Sequence, residues 1–103
     1  MSVSGITSRE AVLEAIRQCD EMGRDNFLER YGFGRARSYI LVYEGRDYDS
    51  KAILGVAHGN QFPAKGPLKS HQFEGGYATV KKKLESLGFT VEVRKAEARS
   101  RER

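Results

Sequence analysis

A chain of 103 residues, 39% hydrophobic and 31% charged, has the balance of a single folded core and is too apolar to be a disordered chain. Its longest apolar stretches, Tyr39 to Tyr43 and Ala52 to Ala57, fall far short of the roughly 20 residues that cross a bilayer, and the opening MSVSGITSRE lacks the basic start and apolar block of a secretory signal. One cysteine, Cys19, excludes an internal disulfide and fits a cytoplasmic setting, while the net charge of +4 is divided as −3 over residues 1–29, +2 over 30–62, +4 over 63–83, −2 over 84–93 and +3 over 94–103.

Along the chain, Thr7 and Glu10 have the spacing of a capping box, and Val12, Ala15, Ile16, Cys19 and Met22 follow at helical period before Gly23. This predicts a first helix over about 8–22 with a mostly acidic outer face of Glu10, Glu14, Arg17 and Glu21. A short second helix is expected over Arg24 to Tyr31, with Asp25 as an early cap and Gly32 as its end. Ser38 to Tyr43 is β-branched and aromatic, and Glu44-Gly45-Arg46-Asp47 reads as a turn leading to a short return strand at Tyr48.

Asp49 then stands where it can cap a third helix running from Ser50 to about Gly59. Residues 60–76 hold Pro63, Gly66, Pro67, Gly75 and Gly76 and read as a long loop carrying Lys65, Lys69 and His71. Tyr77, Val80, Leu84 and Leu87 mark a fourth helix ended by Gly88, and Phe89 to Val93 alternates as a strand. Arg94 to Arg103 reads as a mobile basic tail or a frayed helix. The expected class is α+β, with about four helices on a short, mainly antiparallel sheet of about three strands, in a domain over 1–93 followed by the tail.

Several groups of side chains have chemistry to offer. On the fourth helix, Lys82 is expected opposite the apolar stripe with Lys81 and Lys83 flanking it, next to the hydroxyls of Thr79 and Ser86. Phosphate contact is one reading and a solvated helix face the other. Arg35 and Arg37 lie among Tyr31, Phe33 and Tyr39, a setting for phosphates and exposed bases unless those rings are core. The sharpest local feature is Tyr48-Asp49-Ser50-Lys51, a strand end opening a helix whose N–H groups and dipole favour an anion; its alternative is a cap, two exposed first-turn residues and a packed ring. Asp49 itself would repel a phosphate, so a base contact or orientation of Lys51 suits it better.

Catalytic readings are weaker. Asp49-x-Lys51 matches the tail of a D/E-x-K nuclease pattern, but the preceding carboxylate, Glu44, lies in the turn. His58, His71 and Cys19 cannot assemble a four-ligand zinc site, and no triad spacing is present. His58 is expected to cap the third helix, and His71 to face nucleic acid from the basic loop. No cofactor, metal or catalytic residue is expected.

Tyr-Gly-Phe-Gly-x-Ala-Arg-Ser-Tyr at 31–39, Tyr48-Asp49-Ser50-Lys51-Ala52-Ile53, Ala57-His58-Gly59, and Phe73-x-Gly75-Gly76 leading through Thr79 to Leu87-Gly88-Phe89 together resemble the N-terminal head domain of McrA-like type IV restriction endonucleases. The resemblance covers about residues 6–93. In those enzymes the head precedes modules that read modified DNA and an HNH nuclease, so it implies an accessory role in defence against modified or foreign DNA. The HNH segment is not found in this sequence, so cleavage is not carried over. The expected function is non-catalytic binding of double-stranded DNA through Arg35, Arg37, Tyr48, Asp49, Ser50, Lys51, Lys65, Lys69, His71, Lys81 and Lys82, with no membrane partner. The alternative is a protein-interaction module that recruits a partner nuclease.

Overall fold

The computed structural model describes residues 3–36, 38–74 and 77–94. A single 3-10 turn at Val3–Gly5 leads to α1 (Arg9–Met22) and α2 (Arg24–Tyr31). An antiparallel hairpin of β1 (Tyr39–Tyr43) and β2 (Arg46–Asp49) runs directly into α3 (Ser50–Gln61). After a 3-10 turn at Ser70–Gln72, a π-helical turn at Tyr77–Lys81 enters α4 (Lys82–Ser86), and β3 (Thr90–Val93) completes the sheet in the order β2-β1-β3. Helices packed on a three-stranded antiparallel sheet make this the α+β fold expected from the sequence.

The core follows from the side-chain periods. Tyr48, Leu41 and Val91 stand in register across the three strands and all are buried, so one row of the sheet supplies the surface on which the helices pack. The helices meet it through Val12, Ala15 and Ile16 of α1 and Ala52, Ile53, Leu54, Val56 and Ala57 of α3, with Val80 and Leu84 from the fourth helical segment. Buried side to side, α3 has little room for Cβ atoms. One built at Gly59 would lie 2.5 Å from the Pro67 nitrogen, and one at Gly55 would lie 2.6 Å from the Phe33 ring.

Several boundaries differ from the sequence reading, each for a local reason. Ser8, not Thr7, caps α1, its hydroxyl accepting the Ala11 N–H at 3.1 Å. The Thr7 and Ser8 N–H groups instead donate to Gln61 Oε1 at 2.9 and 3.0 Å, which ties the start of α1 to the end of α3. Gly23 takes the N-cap position of α2, leaving Asp25 to pair with Arg35. The hairpin turn is only Glu44-Gly45, with φ of 50° and 80°, because a two-residue loop needs two left-handed residues to match the strand twist. Arg46 and Asp47 therefore belong to β2.

The third helix passes through Gly59 to Gln61. His58 does not cap it: the ring is buried, with Nδ1 2.9 Å from the Gly66 carbonyl oxygen, fastening the following loop. That loop is also anchored by buried Leu68, whose N–H donates to Gly55 O at 3.0 Å. The fourth helix opens as a π turn rather than an α-helix, which breaks the uniform 100° spacing on which its outward face was placed.

Arg94, assigned to the tail by sequence, is bonded into the sheet. Its N–H donates to Ser38 O at 2.6 Å, and its guanidinium reaches Asp47 at 2.7 Å and Glu92 at 2.6 Å. The rest of the expected tail, residues 95–103, lies outside the described residues, as do Arg37, Gly75 and Gly76 and the side chain of Tyr77.

Candidate nucleic-acid interface

The Tyr48–Lys51 segment is a buried polar junction. Tyr48 is buried and its hydroxyl donates to Asp20 Oδ1 at 2.8 Å. Burial, reinforced by that carboxylate, pushes the phenol up to about 12. Asp49 is 4% exposed and accepts three hydrogen bonds, each of 2.7 Å: two from the Arg24 guanidinium and one from the Ala36 N–H. It occupies the N-cap position of α3, yet its side chain makes no capping bond. The carboxylate instead clasps α2 and the 33–38 loop, and its hydrogen bonds raise the Arg24 pKa above the ordinary guanidinium value. Ser50, buried beneath it, donates to Tyr39 O at 2.6 Å.

Lys51 leaves this junction for the surface. Its ammonium donates to Ser70 O at 2.7 Å and stands 5.1 Å from the centre of the Phe73 ring. Around it opens a first cleft of about 370 Å³, whose lining includes Arg35, Ser38, Asp49, Ser50, Lys51 and Ser70. The structure thus brings Arg35 together with Asp49, Ser50 and Lys51, two groups that the sequence offered separately, while Tyr48 faces away toward Asp20. Arg35 is 62% exposed and paired with Asp25 at 2.6 Å, an exposed contact that a phosphate can replace at small cost.

Ser70, on the rim of that cleft, is flanked by exposed Lys69 and His71. Beyond the same segment lies a second cleft, lined by Gln72, Phe73 and Glu74 on one side and by Thr79, Lys82, Lys83 and Ser86 on the other. Of the three consecutive lysines only Lys82 is exposed and without a partner among the described residues. Lys81 is 17% exposed and paired with Glu85 at 2.6 Å, and Lys83 donates to Ile6 O at 3.0 Å. Lys65 is exposed on the turn after α3, 5.7 Å from the Phe62 ring, and lines neither cleft.

On the acidic outer face of α1, Arg17 bridges Glu14 and Glu21. Cys19 is buried, and desolvation together with nearby Asp20 lifts its thiol to about 11, far from a reactive thiolate. Among the described residues no three or more His, Cys, Asp or Glu side chains converge, and no helix is long and apolar enough to cross a membrane. Two structural roles escaped the sequence reading: Arg24 as the partner of Asp49, and Arg94 as the clamp on Asp47. A buried carboxylate 25 residues from its arginine leaves no short-range pattern to read.

The ScoMcrA-like N-terminal head domain matches residues 4–93 of this chain, a span from the first turn to the end of β3. No curated protein matches it. A solved structure described as the type IV phosphorothioation-dependent restriction endonuclease ScoMcrA is similar at 31% identity with a TM-score of 0.62, over 87% of this chain. The likeness covers 13% of that enzyme's chain, so it concerns one domain of it. On both the sequence match and the shared fold, the chain belongs to the family of ScoMcrA-like N-terminal head domains.

Proposed function

We propose that this domain binds double-stranded DNA without cutting it and serves as an accessory or reader module in restriction of modified or foreign DNA. The observation that carries the reading is the placement of cations about the 69–74 segment: Arg35 and Lys51 in the first cleft, Lys69 and His71 exposed on the segment, and Lys82 in the second cleft. Side chains of this kind, spread along a ridge between two clefts, suit contact with successive phosphates. Lys65 adds charge nearby in sequence, and Arg37 and Lys81 complete the set proposed from sequence, Lys81 in a secondary role because Glu85 already neutralises it. Tyr48, Asp49 and Ser50 act beneath the surface, holding the loop that presents Arg35.

Membership of a restriction-endonuclease head family supports the link to DNA. The test is fluorescence anisotropy with short duplexes across a salt series. Unmodified and cytosine-modified duplexes are compared with a phosphorothioated one, because the similar solved enzyme is described as phosphorothioation-dependent. Micromolar or tighter binding that weakens steeply with salt is the expected result. Absence of binding to every duplex would overturn the reading in favour of a protein-interaction module. For that module the open edge of β3, where Val93 is 53% exposed, offers a surface for strand pairing.

A further inference from the structure

The second cleft, between the Val3–Gly5 turn, the 72–74 segment and the π turn leading into α4, is an open groove of about 640 Å³, within the size range of small-ligand sites. Its walls are tied together by bonds of the residues that line it. Lys83 donates to Ser4 O at 3.3 Å and Ile6 O at 3.0 Å, which fastens the N-terminal turn to α4. Phe73 is braced by the Lys51 ammonium and by the Phe33 ring, whose centre is 6.2 Å away in edge-to-face contact. By contrast, the side chains of Glu74, Thr79 and Lys82 line the cavity and have no hydrogen bond or ion pair among the described residues. Thr79 is set in the π turn, an irregularity that recurs at functional sites.

A carboxylate and an ammonium that line one cavity without pairing with each other suit a ligand presenting a hydrogen-bond donor at one end and an anion at the other. An aromatic ring on the same lining adds a flat apolar surface. We propose that this cavity takes one nucleotide whose base carries an exocyclic amino group, as in cytosine or adenine. The base lies against Phe73, its amine donates to Glu74, and the phosphate is held by Lys82 and the Thr79 hydroxyl. Thymine is disfavoured because it turns a carbonyl oxygen toward the carboxylate. That the nucleotide comes from an unpaired position in DNA rests on the DNA-binding reading; a free mononucleotide has the same chemistry.

The test is a titration of the full chain followed by amide NMR shifts, with deoxycytidine monophosphate, thymidine monophosphate and inorganic phosphate as separate probes. Deoxycytidine monophosphate is expected to bind at least about tenfold more tightly than the other two, shifting residues 73–74 and 79–82. Glu74→Gln should erase the preference over thymidine monophosphate, and Lys82→Ala should weaken the nucleotide while leaving deoxycytidine unchanged. Equal affinity for all three probes, or shifts elsewhere, would overturn the site. A duplex with one unpaired cytosine binding more tightly than its fully paired counterpart places the source in DNA, and equal binding assigns the site to free nucleotides. Failure of deoxycytidine monophosphate with intact duplex binding removes this site alone; its binding without any duplex binding removes the DNA reading and keeps the pocket.

Discussion

The Tyr48–Lys51 segment and the 69–82 segment both looked like anion sites by composition, yet the fold uses them in opposite ways. In the first, Tyr48, Asp49 and Ser50 are buried, and each side chain is bonded to another part of the chain. In the second, Lys69, His71, Glu74 and Lys82 are exposed. The difference lies in their neighbours. Polar residues that enter directly on an apolar helix are drawn inside with it and must find partners there, whereas Lys69, His71 and Glu74 lie outside the α-helices and Lys82 sits at the start of short α4, and all four stay in water. One segment builds the domain and the other keeps Lys69, His71, Glu74 and Lys82 in water.

Breaking the buried segment should cost the most. Asp49→Ala removes three hydrogen bonds and leaves the Ala36 N–H and Arg24 unpaired. A loss of about 2–3 kcal/mol in urea unfolding is expected, less than for a fully buried pair because Arg24 is 44% exposed. Gly59→Ala should lose about 1–3 kcal/mol by the same measurement, since its Cβ meets the Gly66–Pro67 backbone rather than a movable side chain.

Tyr48→Phe should lose about 1 kcal/mol with the Asp20 hydrogen bond, and it also has a signature in pH. The Tyr48 phenol is raised to about 12 from an ordinary 10. Its contribution is therefore complete below pH 10 and is lost as pH rises toward 12, because the unfolded chain ionises first. Stability of the native chain should fall more steeply across that window than that of Tyr48→Phe, and parallel curves would contradict the assignment. The smallest stability effect is expected in the free segment, where Lys69→Ala and Lys82→Ala should each stay within about 0.5 kcal/mol of the native chain.

Most of the fold was legible in the sequence because each element carries its own period. The apolar spacing from Val12 to Met22 and the β-branched run before Glu44-Gly45 fix element type without reference to the rest of the chain. Boundaries were less legible where a distant group decides them: Gln61 fixes the start of α1, and Ser38 extends the bonding of the last strand to Arg94. The site was legible only in part. Sequence set Lys82 outward, but it had no means to foresee that Arg35 would share a cleft with Lys51 or that Asp49 would turn from its helix to Arg24. Nor was the π turn foreseeable, which leaves Lys81 largely covered and paired with Glu85.

On the proposed reading, DNA phosphates are met by the exposed Lys69 and Lys82 rather than by Lys81, which is largely covered and paired with Glu85. It is tested most directly by the salt dependence of duplex binding for Lys69→Ala/Lys82→Ala beside Lys81→Ala. The expected result is a slope of log affinity against log salt that falls by about two units for the double variant and stays within about half a unit for Lys81→Ala. An unchanged slope in the double variant, or an equal fall on loss of Lys81 alone, would contradict it.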